Sequence, residues 1–424
     1  MKANQTQQKH LTDLRRQLHQ RPEPPWCEFY TTSLVVDALD DSGVDDVFIG
    51  SEALDVEARL GVPSREQLRD WHERARRNGA REDVLEQTEG GNTGVVATVR
   101  CGDGPTVGVR VDIDGLRVEE SAAETHRPTA DGFRSKHGGC MHACGHDANT
   151  AMGIGLLDAI RDSEFKGTLK LFFQPASEIE GGGKPMAKTA HLDDVEHFIV
   201  LNTGMGYETG ELVAGIDDMY AIERLRAEFI GESSHAGQTP NAGRNAIQAM
   251  STATAQLYAV PRHADGATRV NVGIVEAGSA TNVIAERAVL KADIRGETSD
   301  ILEFVRDRTD RVFSGAAQMH DCAVDVETIG QAPSSDSDEE LVTLFADVFE
   351  AHPSVTSTRE HEPFGTGEDA AWFMNAVRER GGNATHVVVG SDLAGGHHTS
   401  TFDIDERSLS IGVDTLLAAI ESLE

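Results

Sequence analysis

The sequence predicts an α/β protein that is interrupted by a smaller inserted α+β domain. Runs rich in β-branched residues alternate with helical patterns in residues 93–201, and the alternation returns in residues 339–423. This alternation is typical of α/β folds with a largely parallel sheet. Between these regions, residues 224–329 have the order β-α-β-β-α-β, which fits a ferredoxin-like module.

The first region opens with helical patterns that are broken by prolines. A charged, helix-prone segment over 64–86, which we call the helical excursion, follows them. Glycines and a proline separate its first two strands, as expected at a turn. In order, we expect helices over 12–18, 29–42 and 64–86, strands over 93–99 and 107–112, a helix over 148–160, and strands over 168–173 and 198–201.

The pattern of predicted helices and strands changes near residue 217. An acidic, serine-rich linker over 333–338 ends the inserted segment. We therefore assign residues 1–216 and 334–424 to one metal-binding α/β domain and residues 217–333 to the insertion. The expected elements are strands over 224–231, 269–275, 288–294, 323–329 and 386–389, and helices over 245–260, 300–319, 339–351, 369–380 and 406–423.

The formal net charge of −33 limits the possible partners. A field of this sign repels phosphates, so nucleic-acid binding is disfavoured. The acidic residues are dispersed, which suggests a halophilic protein, because salt screens the self-repulsion of such a surface. No apolar run approaches a membrane span, the first residues lack a signal-peptide pattern, and five widely spaced cysteines do not suggest a disulfide framework. We expect a cytoplasmic protein with no membrane partner.

Residues 141–147 (Met-His-Ala-Cys-Gly-His-Asp) form the most informative segment for chemistry. Cys144 and His146 offer a thiolate and an imidazole within three positions, and both suit zinc or similar divalent ions. The alternative is a buried cysteine beside a surface histidine. A Cys-x-His pair does not by itself decide between the two.

Three further segments follow predicted strands or lie in loops, where α/β folds place ligands. Asp112 and Asp114 share a face at strand spacing, and they indicate either ligands or a solvated turn. Glu178 follows the strand over 168–173 and precedes three glycines. His397 and His398 follow two glycines and are a candidate ligand pair.

With these residues in view, the chain resembles the M20 metallopeptidase and amidohydrolase family, in its aminoacylase-like branch. The likeness runs from Arg15 to Glu406, and it is closest to the aminobenzoyl-glutamate hydrolases at residues 90–98, 266–273 and the helical excursion. It implies a zinc-peptidase-like catalytic domain, an inserted dimerisation domain and one or two divalent metals, manganese or zinc. The implied reaction is hydrolysis of the amide bond of N-acyl or N-aroyl amino acids, with aminobenzoyl-glutamate among the implied substrates.

The resemblance also implies roles for individual residues. It makes Cys144, His146, Glu178 and His398 metal ligands, with Cys144 bridging two metals. It makes His235 a residue that reaches the partner subunit's active site and stabilises the oxyanion. Asn282 and Arg295 would bind the substrate carboxylate, and an arginine fork suits that work. The expected assembly is a homodimer, or a heterodimer with a related subunit.

The sequence departs from the family pattern at three positions. Ser177 stands where most members have the glutamate that acts as general base, Asn202 where most have histidine, and Asn149 where many have histidine. A hydroxyl cannot replace a carboxylate base, and an amide is a weak zinc ligand. The alternative to an active enzyme is therefore an impaired homologue that serves as a binding or regulatory subunit of a hetero-oligomer.

Glu180 offers a possible substitute for the missing base. If the loop after the strand is extended, Glu180 and Glu178 lie on the same side of the chain. On this hypothesis Glu180 takes the proton that Ser177 cannot.

Overall fold

The protein, described here by a computed structural model over residues 2–423, folds into two compact units. The larger unit contains the chain up to Asp217, Asp336–Pro363 and the chain from Asp369, and the smaller contains Asp218–Ser335 and Phe364–Glu368. The last segment differs from our prediction, which gave it to the larger domain. It belongs to the smaller unit because the Tyr220 N–H donates to the Thr366 carbonyl at 2.9 Å and the Gly365 N–H to the Asp218 carbonyl at 3.1 Å.

Helices and strands alternate along most of the chain. The helices are α1 (Lys2–His19), α2 (Phe29–Ser42), α3 (Arg65–Arg77), α4 (Glu82–Gln87), α5 (Arg127–Ala130), α6 (His146–Ile160), α7 (Gly183–Ala187), α8 (Ala246–Leu257), α9 (Ser299–Met319), α10 (Glu339–Ala351), α11 (Ala371–Glu379) and α12 (Arg407–Glu421). The strands are β1 (Asp46–Ile49), β2 (Val95–Arg100), β3 (Thr106–Asp112), β4 (Thr168–Gln174), β5 (His197–Thr203), β6 (Glu211–Asp217), β7 (Ala221–Ile230), β8 (Ser234–His235), β9 (Thr268–Ala277), β10 (Val283–Ile284), β11 (Arg287–Gly296), β12 (Ala323–Ala332), β13 (Ser357–Pro363) and β14 (Asn383–Val389).

The larger unit is built on a mixed sheet with the strand order β1-β2-β4-β3-β5-β14-β6-β13. Its centre is parallel from β4 through β3 and β5 to β14, whereas β2 joins β4 and β6 joins β14 antiparallel. The sheet is therefore less uniformly parallel than predicted. The central strands are almost completely buried, as expected when helices cover both faces.

The smaller unit has an antiparallel sheet with the order β12-β7-β11-β9, and α8 and α9 contribute to its core. This is the strand order of a ferredoxin-like βαββαβ module, so the predicted fold class is confirmed. A separate ribbon of β8 and β10 pairs His235 with Val283.

The helix α6 positions the chemistry of the larger unit. It lies in the main hydrophobic core, with α1 and α12 among its neighbours, and nearly all of its side chains are buried. Its N-terminus follows the Cys144 segment directly. Among residues 2–423, no helix is both long and apolar enough to cross a membrane.

Candidate metal centre and active site

The turn into α6 places Cys144 and His146 side by side. Gly145 caps the helix in the left-handed conformation, with φ of 87°, which glycine adopts at little cost. Cys144 therefore ends the preceding loop, and His146 is the first residue of the helix. The Nδ1 atom of His146 lies 2.9 Å from the Asp114 carbonyl and 3.0 Å from Asp114 Oδ1, which fixes the ring.

Glu178 lies on a short 3₁₀ helix, Ser177–Ile179, that follows β4. The residues on either side, Ala176 and Glu180, have φ of 53° and 50°. Left-handed backbone at such residues costs roughly 1–3 kcal/mol each and persists only where the surroundings enforce it. Here the Ala176 N–H donates to Glu28 Oε1 at 2.9 Å, and the Glu178 N–H donates to Asp114 Oδ2 at 3.0 Å.

This geometry removes the basis of the Glu180 hypothesis. The loop is helical at Ser177–Ile179 and left-handed at Glu180, and it is not extended as the hypothesis required. The alternation that would place Glu178 and Glu180 on one side applies only to extended chain.

Cys144, Glu178 and His398 converge. One ligand atom from each residue lies within 4.8 Å of the others, and we call these three candidate ligands the metal-ligand cluster. His398 reaches it from a left-handed position, with φ of 62°, and its N–H donates to the Ala143 carbonyl at 2.8 Å. Thiolate sulfur, carboxylate oxygen and imidazole nitrogen together fit a zinc-like or manganese-like divalent ion.

His397, the other member of the histidine pair, lies behind the sulfur. Its Nε2 accepts a hydrogen bond from the Met205 N–H at 3.1 Å, so the neutral ring carries its proton on Nδ1. That Nδ1 lies 3.5 Å from Cys144 Sγ. Burial and the neighbouring His398 lower the pKa of His397 to about 4, so the ring stays neutral and donates to the sulfur. Such contacts orient metal ligands.

Asp112 and Asp114 are buried, with exposures of 1% each, so the solvated-turn interpretation is wrong. Asp112 receives hydrogen bonds from the Asn149 amide at 2.8 Å and from Arg110 Nη1 at 2.9 Å. His146 Nε2 lies 3.3 Å from Asp112 Oδ2 and 3.5 Å from Glu178 Oε1. Asp112 and Asp114 form a second layer behind the metal-ligand cluster, and His146 lies between Asp112 and Glu178.

The ionisable groups of this region influence one another. Burial, opposed by His146 and assisted by Asp114, raises the pKa of Glu178 to about 7. Burial opposes a charged His146, but Asp112 and Asp114 raise the pKa of this ring well above its usual value. Burial and the nearby Glu178 raise the pKa of Cys144 to about 12, so a metal that bound this sulfur would have to displace a proton.

The remaining predicted residues lie in the smaller unit. His235 is exposed, and its Nδ1 accepts the N–H groups of Gly237 at 3.1 Å and Gln238 at 3.0 Å. The Asn282 carbonyl accepts the Ala236 N–H at 2.9 Å, so Asn282 lies at the end of the ribbon that holds His235. Arg295 lies on β11, in the four-stranded sheet of this unit and not on the ribbon.

Comparison with known proteins places the chain in a family. Residues 108–422 match the model of peptidase family M20/M25/M40. The chain belongs to this family. It is 39% identical over 411 residues to indole-3-acetyl-aspartic acid hydrolase from Enterobacter agglomerans, and 38% identical over 411 residues to one of the subunits of p-aminobenzoyl-glutamate hydrolase from Escherichia coli K12. Each alignment covers 96% of this chain and 94% of the relative.

A solved structure agrees with this placement. An aminobenzoyl-glutamate utilization protein from Klebsiella pneumoniae superposes with a TM-score of 0.84 at 32% identity, covering 99% of this chain and 97% of that one. The predicted family resemblance is confirmed. The M20 chain is a metal-dependent amidohydrolase with a zinc-peptidase-like catalytic domain.

Sequence reasoning missed several contacts of this M20 site. It noted Asp112 and Asp114 without deciding their role, and it did not foresee that Arg110 joins Asp112 to Ser177. Alternation along β3 was the available signal, because Arg110, Asp112 and Asp114 have strand spacing. Asn202 lies on β5 beside Val388 and is partly buried, and no sequence signal indicated its surroundings.

Proposed function

We propose that this M20 chain hydrolyses the amide bond between an acyl or aroyl group and an amino acid such as aspartate or glutamate. The named relatives support this substrate class, since they act on indole-3-acetyl-aspartate and p-aminobenzoyl-glutamate. The observation that carries the proposal is the convergence of Cys144, Glu178 and His398. We assign these residues, with His146 beside them, to a divalent ion, zinc or manganese.

Glu178 has the geometry for a role in proton transfer as well as ligation. When bound, a divalent ion supplies Lewis acidity and a water of lowered pKa. Glu178 turns Oε1 toward His146 at 3.5 Å and Oε2 toward His398 at 3.6 Å, so its two oxygens face different neighbours. We assign one oxygen to the ion and the other to the proton that moves from water to the leaving amine.

His235 is suited to stabilise negative charge on the scissile oxygen. Because its Nδ1 accepts two backbone N–H groups, the neutral ring keeps its proton on Nε2. This leaves Nε2–H as an exposed hydrogen-bond donor. We propose that it acts in a dimer formed through the smaller unit, either with a second copy or with a related subunit.

Asn282 and Arg295 are the proposed ligands of the substrate carboxylate. Arg295 now donates from Nε and Nη2 to the two carboxylate oxygens of Asp293, at 2.7 and 3.0 Å, and Nη1 contacts Thr366. A substrate carboxylate would therefore replace Asp293 in the arginine fork. Because one carboxylate replaces another, the fork geometry is kept.

The second candidate function is that of a binding or regulatory subunit. Ser177 and Asn202 favour it, because they remove the expected base and an expected imidazole ligand. The name of the relative from Escherichia coli describes it as one subunit of its hydrolase, and this name supports the alternative.

The deciding experiment combines metal analysis with hydrolysis assays of p-aminobenzoyl-glutamate, indole-3-acetyl-aspartate and N-acetyl amino acids in high salt. We expect bound divalent metal and turnover, and we expect Glu178→Gln to lose both. Glu66→Gln, at an exposed site on α3, is the matched control and should change neither. Bound metal without turnover by the isolated chain would favour the subunit function.

A further inference from the structure

Ser177 is held by a buried arginine. Arg110 is completely buried, and its Nη2 donates to Ser177 Oγ at 2.8 Å. The same guanidinium donates from Nε to Gln174 Oε1 at 2.7 Å and from Nη1 to Asp112 Oδ2 at 2.9 Å. The planar guanidinium therefore fixes the position of the serine hydroxyl relative to the end of β3.

The supports of Arg110 are themselves fixed. Asp369 is completely buried and accepts the N–H groups of Gly182 at 3.1 Å and Gly183 at 2.7 Å. Its Oδ1 accepts the Gln174 amide at 2.8 Å and lies 3.7 Å from Arg110 Nη2. The guanidinium is thus part of a rigid buried network, and Ser177 is the member next to Glu178 in the chain.

The direction of this hydrogen bond determines the chemistry of Ser177. A serine hydroxyl has one proton to donate and two lone pairs that accept. Arg110 occupies one lone pair, and within residues 2–423 the hydroxyl makes no other hydrogen bond. The proton of Ser177 is therefore available, and the positive charge on the accepting side strengthens it as a donor.

Ser177 also directly precedes Glu178, one of the proposed reacting groups, in the chain. Ser177 lies on the same 3₁₀ helix as Glu178 and retains 9% exposure. Arg110 donates to Asp112, which lies 3.3 Å from His146 Nε2, and the same nitrogen lies 3.5 Å from Glu178 Oε1 of the metal-ligand cluster. A hydrogen-bond donor at this position is better suited to stabilise a developing negative charge than to accept a proton.

We propose that Ser177 is a catalytic hydrogen-bond donor to the carbonyl oxygen of the scissile amide, and that Arg110 is its positioning residue. This inference rests on the proposed function. As water oxygen bonds to the carbonyl carbon, the π electron pair moves to the carbonyl oxygen, and Ser177 shares its proton with that oxygen without transferring it. When the C–N bond breaks, the pair returns to form C=O, and the leaving amine takes the proton lost by water.

The test uses a phosphonamidate analogue of p-aminobenzoyl-glutamate, whose anionic tetrahedral phosphorus group imitates the transition state, and metal-loaded protein. We expect Ser177→Ala to weaken analogue binding by roughly 10- to 1000-fold, the range for loss of one oxyanion donor, while metal content is unchanged. Ser177→Thr keeps the hydroxyl and should bind within about threefold of the original protein. Steady-state assays should show that Ser177→Ala lowers kcat with little change in KM.

Three results would overturn this role. One is equal affinity of the original protein and Ser177→Ala for the analogue. Another is a large rise in turnover on Ser177→Glu with no effect of Ser177→Ala, which would make Ser177 only the remnant of a lost base. The third is an acyl adduct on Ser177 in rapidly quenched reactions, detected by mass spectrometry, which would make it a nucleophile. Analogue binding that depends on Ser177 without any turnover would contradict the proposed function and leave the donor role supported.

Discussion

Two consecutive residues at the start of α6 point into two very different polar clusters. His146 lies beside the metal-ligand cluster, whereas Asp147 lies in a buried ion-pair cluster that contains Arg15, His19 and Asp403. Asp147 is 2.7 Å from Arg15 Nε and 2.8 Å from His19 Nδ1, and Arg15 Nη2 is 2.9 Å from Asp403. Each side chain of this second cluster is almost fully buried.

The difference is one of charge balance. In the ion-pair cluster each carboxylate faces a cation, and Arg15 and His19 hold the pKa of Asp147 well below its usual range despite its burial. Although burial and Arg15 oppose it, hydrogen bonds to Asp147 and Glu120 raise the pKa of His19. In the metal-ligand cluster a thiol, a carboxyl and an imidazole converge instead. We infer that the first cluster stabilises the fold, whereas the donor set of the second suits a divalent cation.

The largest expected effect is a loss of metal affinity with little change in stability. Cys144→Ala removes the proposed sulfur ligand, and we expect the affinity for zinc to fall by more than about a hundredfold, since loss of an outer-shell contact alone costs 10–100-fold. The free energy of unfolding of the metal-free protein should change by less than about 1 kcal/mol. Chelator competition and urea unfolding measure the two quantities.

Cys140→Ala is the matched control for that substitution. Cys140 is buried four residues earlier and lies outside the metal-ligand cluster. Equal loss of zinc affinity in the two variants would contradict the assignment of Cys144.

Arg15→Met should have the opposite effect to Cys144→Ala: it should lower stability and leave zinc affinity nearly unchanged. It leaves Asp147 and Asp403 buried without their main cation, so the free energy of unfolding should fall by about 3–5 kcal/mol. Zinc affinity of the folded variant should stay within about twofold, because Arg15 lies in the other cluster. Arg76→Met, which breaks the exposed Arg76–Glu82 pair, should cost less than about 1 kcal/mol.

The ion-pair cluster should also respond to acid. Burial opposes ionisation of Asp403, but Arg15 and Arg127 hold its pKa below the usual value. Its stabilising effect is therefore present above about pH 4, the pKa of an unfolded aspartate, and is lost as the pH falls through the lower folded pKa. The stability difference between the original protein and Asp403→Asn should shrink from pH 7 to pH 3. A constant difference across this range, in urea unfolding, would contradict the assignment.

Added salt should change the contribution of surface charges to stability much more than that of buried ion pairs. With a formal net charge of −33, the whole protein should gain stability as KCl rises, because screening reduces surface repulsion. The cost of Arg15→Met should change by less than about 1 kcal/mol between 0.2 and 2 M KCl, because buried pairs are poorly screened. Thermal unfolding across a KCl series tests both, and a stability independent of KCl would contradict the halophilic interpretation.

The sequence was most informative where one physical signal dominates. The apolar runs of β3 and β4 identified buried strands, and the Cys144 segment identified a candidate ligand pair. Among the strands of the larger sheet, β1, β6 and β13 were missed. β13, Ser357–Pro363, lies at the sheet edge with charged, partly exposed residues, so it lacks an apolar run.

The residues of the candidate site could be predicted from the sequence, but the hydrogen bonds that connect them could not. The left-handed residues Ala176, Glu180 and His398 have no local signal, because tertiary hydrogen bonds enforce their conformations. The donation from Arg110 to Ser177 joins β3 to a loop 67 residues away. Such contacts depend on strand order, which spacing along the chain does not reveal.

The most direct test of the central claim is zinc X-ray absorption spectroscopy of the metal-loaded protein. We predict a sulfur ligand at about 2.3 Å together with nitrogen or oxygen ligands at about 2.0–2.2 Å. The sulfur shell should disappear in Cys144→Ser and persist in Cys140→Ala. A zinc shell of nitrogen and oxygen alone in the original protein, or zinc that does not remain bound through gel filtration, would contradict the metal-ligand cluster of Cys144, Glu178 and His398.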